Sequence, residues 1–494
     1  MRFAVFSSSG RRYLHPEALP AQGRTFLSSF TAIAKLSFDE PPLNQQFHFS
    51  DSLQRALQGK LLLLDELPFS IEVLHTHYLH GYIGLMKSIA KLHNGYVCQR
   101  CGNDEPHEFA AFSCARCGET CTYCRKCIMM GRASECQPLV FWRGHQSIPA
   151  IQKHRNPLRW EGDLSPEQAQ AAHAVANAIE QRRRQLVWAV CGSGKTELLF
   201  PGLALAFQQG LRVCIATPRV DVALELEPRL RAVFPMLSIA ALYGGSKQKS
   251  EESQLIVSTA HQLLRFRDAF DVMVIDEVDA FPYSFDPMLA LAVERAAKKE
   301  AAVIFLTATP NEEMKRQVKT GVLPAVKIPV RYHRRPLPVP EFVWCGNWEK
   351  RLQKRRLPNV VNHWCLQRLN RNQPFLLFVP SVSTAEQVKS ILGVPAAYAD
   401  DPERKEKVEK LRRGEIPAIV TTTILERGVT IPRIDVAVLG AEHDIFTESA
   451  LVQIAGRVGR SAEAPDGDVA FFHFGKTKAM AAARRHIMEM NEQA

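Results

Sequence analysis

The 494-residue sequence predicts an α/β protein of two tandem lobes, each a doubly wound parallel sheet, preceded by a cysteine module and a small N-terminal region. Three observations predict it. From residue 185 onward, short apolar runs alternate with helix-length segments, the rhythm of parallel strands joined by crossover helices. The first run (Leu186, Val187, Trp188, Ala189, Val190) leads into a small-residue turn followed by Lys195 and Thr196. Several later runs end in polar clusters, at the edge where such sheets bind ligands.

Size and charge set the frame. At roughly 150 residues per domain the chain holds about three domains, and 46% apolar residues supply real cores. The formal charge is +11 and the pI about 9.1, so a polyanionic partner is expected. No apolar run approaches the ~18 residues of a membrane span. The hydrophobic stretch at the N-terminus is too short for a signal peptide, so a soluble intracellular protein is expected.

Residues 1–95 assign no role to themselves. Residues 50–67 contain the apolar run LQRALQGKLLLLDEL, the stretch 75–93 mixes apolar and aromatic residues at roughly helical spacing, and 38–49 reads as a loop. His75, His77 and His80 have no carboxylate or cysteine company, so they read as ordinary helix histidines rather than metal ligands.

Residues 96–138 hold eight of the twelve cysteines: Cys98, Cys101, Cys114, Cys117, Cys121, Cys124, Cys127 and Cys136. A CxxC knuckle places two thiolates on one side of a tight turn, as tetrahedral zinc requires. A redox dithiol would need a thioredoxin-like setting, which is absent. Eight thiols fill two four-cysteine Zn2+ sites, or one with ligands to spare. Cys98 and Cys101 close with Cys114 and Cys117, or with Cys124 and Cys127. A closed four-sulfur site has no position for substrate, so its job is architecture or DNA contact.

Residues 139–159 (Arg143, His145, Lys153, His154, Arg155) read as a basic connector. The first lobe, 160–335, opens with a helix started by Ser165 and Pro166 and striped by Ala171, Val175, Ala178 and Ile179. Gln168 is placed to read an adenine edge, with Trp160 stacked on its face; otherwise Gln168 is a solvated helix residue. Next come Cys191, Gly192, Ser193 and Gly194, with Lys195, Thr196 and Glu197 opening a helix. Glycines bring backbone N–H groups to phosphates, Lys195 reaches the β and γ phosphates of ATP, and Thr196 holds Mg2+. The common phosphate-loop pattern has a glycine where this chain has Ala189.

Strands follow at RVCIAT, LIVS, VMVI and AVIFL. After VMVI, Asp276 is placed to hold the magnesium and Glu277 to polarise the attacking water. The proline- and charge-rich stretch 331–356 reads as the crossover to the second lobe, 336–494. There FLLFV, IVTTT and the run 436–439 are strands, and QIAGRVGR carries Gln453, Arg457 and Arg460. Three apart, the two arginines share a face if helical and suit the charge of a transferring phosphate. Ala455, Gly456 and Gly459 beside them admit a close surface.

The ordered set AVCGSGKT, TPR, STA, DEVD, TAT, TTTILERG and QIAGRVGR resembles the motifs of superfamily-two helicases, over residues 160 to about 480. The resemblance implies two RecA-like lobes that close on ATP and open on hydrolysis. Lys195 and Thr196 then bind nucleotide and magnesium, Asp276 and Glu277 are the acidic pair, and Thr307 and Thr309 couple the lobes. Gln453, Arg457 and Arg460 complete the site, one arginine acting as a finger. Pro218, Arg219, Thr259, Thr422 and Arg427 face the nucleic-acid backbone. A cysteine module ahead of the first lobe, with CRKCIMMGR running into the connector, is similar to the ComFA family of late-competence ATPases. That likeness implies a single-stranded DNA translocase for transforming DNA, cytoplasmic and peripheral at the inner face of the membrane. Its implied partners are the uptake channel, a phosphoribosyltransferase-like companion and recombination-loading proteins. The alternative is a PriA-like replication-restart helicase. In PriA the cysteines interrupt the second lobe and the acidic motif is DEEH; here the cysteines come first and the motif is DEVD.

Overall fold

The computed structural model describes residues 1–93, 95–145, 151–246, 253–280, 282–283, 285–427, 431–461 and 463–494. Residues 146–150 of the expected connector and 428–430 of the ILERGVTIP stretch fall outside these. The chain forms two compact units. One comprises Met1–Glu161, Ala176–Arg184 and Leu203–Ile304; the other comprises Gly162–Val175, Gln185–Gly202 and Phe305–Ala494.

The N-terminal region has a core of its own. β1 (Phe3–Ser8) and β2 (Arg11–Pro16) form an antiparallel hairpin. The run LQRALQGKLLLLDEL splits into a helix, Asp51–Leu57, capped by the Ser50 side chain, and a short strand, β3 (Leu61–Leu63). Helical spacing over 75–93 holds only to the end of helix Ile71–Leu79; the chain then turns into β4 (Ile83–Lys87) and β5 (Ile89–Leu92). β5 pairs with β6 (Gly95–Cys98), and β7 (Phe109–Ser113) with β8 (Thr120–Cys124), in two cysteine-bearing hairpins. β9 (Pro138–Trp142) returns to lie between β3 and β4, antiparallel to both. Residues 139–142, expected to begin a connector, are therefore part of the central strand of the N-terminal sheet. Val140 and Trp142 pack there with Leu53, Leu62, Tyr78 and Ile83.

Seven strands form the next sheet: β10 (Arg184–Ala189), β11 (Val213–Thr217), β12 (Ile239–Leu242), β13 (Leu255–Thr259), β14 (Phe270–Ile275), β15 (Ala297–Thr307) and β16 (Ala325–Ile328). Their order is β12-β13-β11-β14-β15-β10-β16. β11 runs parallel to β13 and β14, β12 to β13, and β10 to β16. β11 and β13 are buried at every residue, which explains their unbroken apolar runs: a parallel sheet is covered on both faces.

The last sheet contains β17 (Glu341–Trp344), β18 (Phe375–Phe378), β19 (Ala396–Ala397), β20 (Ala418–Thr421), β21 (Asp435–Leu439) and β22 (Val469–His473), in the order β17-β22-β21-β18-β20-β19. All its pairings are parallel. Leu376, Phe378, Val436 and Val438 enter one core, and Phe375, Leu377, Ala437 and Leu439 another, as side chains alternate across the pleat. Among the described residues no helix is long and apolar enough to cross a membrane.

Candidate active site and metal centres

β10 delivers the chain into the phosphate loop. Gly192 and Gly194 take φ of +81° and +72°, the left-handed region that side chains avoid. A Cβ on Gly194 would lie 2.2 Å from Gln168 Nε2. Gln168 is 1% exposed, so it is not a solvated helix residue. Its Oε1 accepts from Ser165 N at 2.9 Å, and Ser165 Oγ accepts from Gln168 N at 3.2 Å, a reciprocal cap on helix Pro166–Glu180. Gln168 Nε2 donates to Ser193 O at 2.8 Å and Gly194 O at 3.3 Å, so the amide expected to read adenine grips the loop. Ser193 Oγ is buried with no hydrogen-bond partner among the described residues. Lys195, Thr196 and Glu197 are half-buried. The helix expected to open at Lys195 begins later: Glu197–Leu199 is a 3-10 turn and the α-helix is Phe200–Gln208. Pro201 has no N–H and is tolerated only in a first helical turn, which places the start at Phe200.

The same unit brings the second motif set to this loop. Cys191 Sγ donates to Gln453 Oε1 at 3.0 Å, and a Cβ on Gly456 would lie 2.6 Å from Cys191 Cβ. The close surface admitted by the small residues is the phosphate loop. Arg457 and Arg460 do not share a helix face, because helix Glu448–Ala455 ends before them and Gly459 turns the chain at φ +64°. Arg457 is buried and its Nε donates to Glu426 O at 2.8 Å; Arg460 Nε donates to Gly456 O at 3.0 Å.

Arg331, at the start of the stretch that reads from sequence as a crossover, belongs to the site. It is 1% exposed, with its stem beside Gly192 and its Nη1 donating to Gly459 O at 2.6 Å. Its Nε and Nη2 have no hydrogen-bond partner among the described residues. Burial, with Arg460 nearby, pushes this guanidinium down to about 10. Tyr332 N donates to Gly192 O at 3.1 Å and His333 Nε2 to Gly459 O at 2.9 Å, so three consecutive residues tie the loop to the arginine turn. The one sequence signal is position: Arg331 lies just past β16, and β16 is the parallel neighbour of the strand that carries the loop.

Asp276 and Glu277 follow β14. Asp276 N donates to Ala216 O at 2.8 Å, and Asp276 Oδ1 accepts from Glu277 N at 2.9 Å. Glu277 holds φ +52°, an uncommon backbone conformation for a residue with a side chain and one that clusters at functional sites. Thr307 Oγ1 accepts from Thr309 N, and Thr309 Oγ1 donates to Ser449 Oγ at 2.9 Å. Pro218, Arg219 and Thr422 are half-buried at the carboxyl ends of β11 and β20. Thr259 and Arg427, expected to face a nucleic-acid backbone, are instead buried. Arg427 lies against Glu426 Oε1 at 3.4 Å and donates from Nη2 to Ser449 at 3.0 Å.

The cysteines resolve into two sets, Cys98, Cys101, Cys124, Cys127 and Cys114, Cys117, Cys121, Cys136, with sulfurs in each set within 4.8 Å of one another. Four sulfurs about 2.3 Å from a tetrahedral zinc stand about 3.8 Å apart. Cys98–Cys127 at 3.8 Å, Cys101–Cys124 at 3.6 Å and Cys114–Cys136 at 3.6 Å match that spacing; Cys117–Cys121 is tighter at 3.2 Å. The donor sets fit zinc. Buried Arg100 donates to Cys127 Sγ at 3.0 Å and to the carbonyls of Cys127, Met130 and Gly131. Hydrogen bonds from Cys101 and its neighbours, together with Arg100, hold the Cys127 thiol far below its ordinary range. The first knuckle sits on helix Pro287–Ala296: Arg295 donates to Gln99 O and Arg100 O, and Lys126 pairs with Asp286 at 3.3 Å.

A phosphate loop, an acidic pair after a parallel strand and a glutamine–arginine turn from a second parallel sheet define an ATP-hydrolysing motor of the superfamily-two helicase class. Family models for the type III restriction enzyme res subunit match residues 161–312, and for the helicase conserved C-terminal domain residues 356–462. The DEAD-box helicase Mss116, solved bound to ssRNA and UDP-BeF, shares the fold at TM-score 0.50 and 16% identity, over 63% of this chain and 70% of that one. The competence protein ComFA N-terminal domain model matches residues 44–141. Competence protein ComFA of Bacillus subtilis is 50% identical over 460 residues, 92% of this chain and 98% of that protein. The Streptococcus pneumoniae ComFA is 37% identical over 400 residues, 77% and 90% of the two chains. The chain belongs to the ComFA family, and is an ATP-dependent single-stranded DNA translocase or helicase linked to competence.

Proposed function

We propose that ATP turnover at residues 191–197 drives transforming DNA inward, with each chemical role assigned as follows. Lys195 and Thr196 hold the β and γ phosphates and Mg2+. Asp276 supports the metal and Glu277 takes the proton of the attacking water. Arg457, Arg460 and Arg331 supply positive charge where it builds on the transferring phosphate. The observation that carries this reading is the junction of Cys191 with Gln453 and Gly456, which sets the loop against the arginine turn.

The two four-cysteine sets hold one zinc each and act as scaffolds. The chain works at the inner face of the membrane with an uptake channel, a phosphoribosyltransferase-like companion and recombination-loading proteins; the family membership supports this, and assigns no residue to it. Pro218, Arg219 and Thr422 contact the DNA backbone, with Thr259 and Arg427 supporting them from beneath.

The test is ATP hydrolysis by the purified protein with and without single-stranded DNA. DNA is expected to stimulate the rate, and Lys195→Ala to abolish it at both settings. A rate indifferent to DNA, together with a Lys195→Ala variant as active as the parent, would overturn the reading.

A further inference from the structure

We propose that the cleft beside Trp344 is a further single-stranded DNA subsite, in which one base stacks on the indole while neighbouring phosphates rest on Lys350, Arg351, Lys354 and Arg356. The proposal rests on the reading of the chain as a DNA motor and adds a contact that no helicase motif supplies.

Trp344 closes β17, the edge strand of the last sheet, and is 66% exposed. An indole normally finds cover, so one left open beside a cavity is informative. The cleft is about 740 Å³ and is walled by Trp344, Asn347 and these four cations. Among the described residues none of the four has a carboxylate within 4.0 Å, whereas helix Arg404–Arg412 of the same unit pairs Lys407, Lys410 and Arg412 with acids. Burial, with Glu442 adding to it, raises the Cys345 thiol beside the cleft, and Glu442 accepts from Trp348 Nε1 at 2.8 Å. Two more cations, Lys476 and Arg484, lie over Phe342, two residues before Trp344 on the same face of β17.

An open aromatic face among unpaired cations is the chemistry that holds single strands: every base offers a π face, and every nucleotide a phosphate. Placement agrees. The sheet is parallel, so Trp344 at the end of β17 and Thr422 just past β20 lie along the same carboxyl edge. Four strand spacings separate β17 from β20 in the sheet order, about 19 Å at ~4.8 Å each. A strand lying on Thr422 reaches Trp344 by continuing along that edge.

The test measures binding of labelled oligothymidylates, one short and one long, to the full-length protein by fluorescence anisotropy across a salt series. Trp344→Ala is expected to weaken the long strand roughly tenfold and to leave the short one unaffected, with Trp344→Phe recovering most of the loss. Lys354→Ala with Arg356→Ala is expected to reduce the salt slope for the long strand by about 1.4. Thermal midpoints equal to the parent's establish that the variants fold. Long-strand affinity unchanged in Trp344→Ala and in the double variant would overturn the subsite, as would variants that bind DNA normally but lose an acidic protein. A parent that fails to bind either strand would overturn the motor reading itself, so the two failures are told apart by which protein shows them.

Discussion

A buried guanidinium with two idle nitrogens is costly, and Arg331 bears that cost against the phosphate loop. The cost is recovered when an anion arrives. Arg331→Gln is therefore expected to weaken ATP binding by about tenfold or more, and ADP binding by less, in a fluorescent-nucleotide titration. A purely mechanical clamp would weaken both alike. His75 shows the opposite economy. Buried, with Nε2 on Leu14 O at 2.9 Å, it is pushed down to about 4 chiefly by burial. The folded form then favours the neutral ring, so its stabilisation is complete above about pH 6.5 and is lost as the pH falls through about 4. The gap corresponds to about 3 kcal/mol. Urea unfolding of the N-terminal core at pH 7 and pH 4 is expected to show a larger difference for the parent than for His75→Phe. His77 is likewise committed, to Val73 O and Ser50 N, and His80 stacks on Phe47, so these three are ordinary structural histidines.

Among the elements, the cysteine hairpins interleave. The two sets alternate along the chain, Cys98 and Cys101, then Cys114, Cys117 and Cys121, then Cys124 and Cys127, then Cys136, so the pairing depends on how β5 to β8 fold rather than on which CxxC lies nearest. Metal analysis is expected to give two zinc ions per chain, falling to one in Cys98→Ser and to one in Cys136→Ser, each with a lower thermal midpoint. The motifs were legible because their chemistry is local: strand, glycine turn and lysine are consecutive, and so are VMVI and Asp276. The ligand types were legible for the same reason, but their partition was not. Arg331 was missed because RYHRRP reads as a charged linker, and its burial exists only once β16 lies beside β10. Whether the two arginines share a helix face was not legible, because a spacing of three says nothing about where Gly456 and Gly459 stop the helix. Thr259 and Arg427 were placed in order by their motifs, but burial is set by tertiary neighbours, as Ser449 beside Arg427 shows.

For the whole molecule, the two parallel sheets followed directly from the alternation of apolar runs, and the role of the first 95 residues did not. Those residues have no motif; their purpose emerges in β3 and β4, which flank β9. A chain begun at residue 96 is expected to be poorly soluble, because Val140 and Trp142 lose their core. The comparison is soluble yield and zinc content against the parent, and a folded, zinc-loaded truncation would refute it.

The return of β9 has a further consequence, for synthesis. As the chain is made, the first cysteine set stays open until Cys127 has been added and the second until Cys136, and the strand that locks the N-terminal sheet begins two residues later. Metal capture and closure of that sheet are thus timed together. A nascent chain stalled before residue 136 would expose thiolates and apolar strands at once, the state most open to wrong pairing and to chaperones.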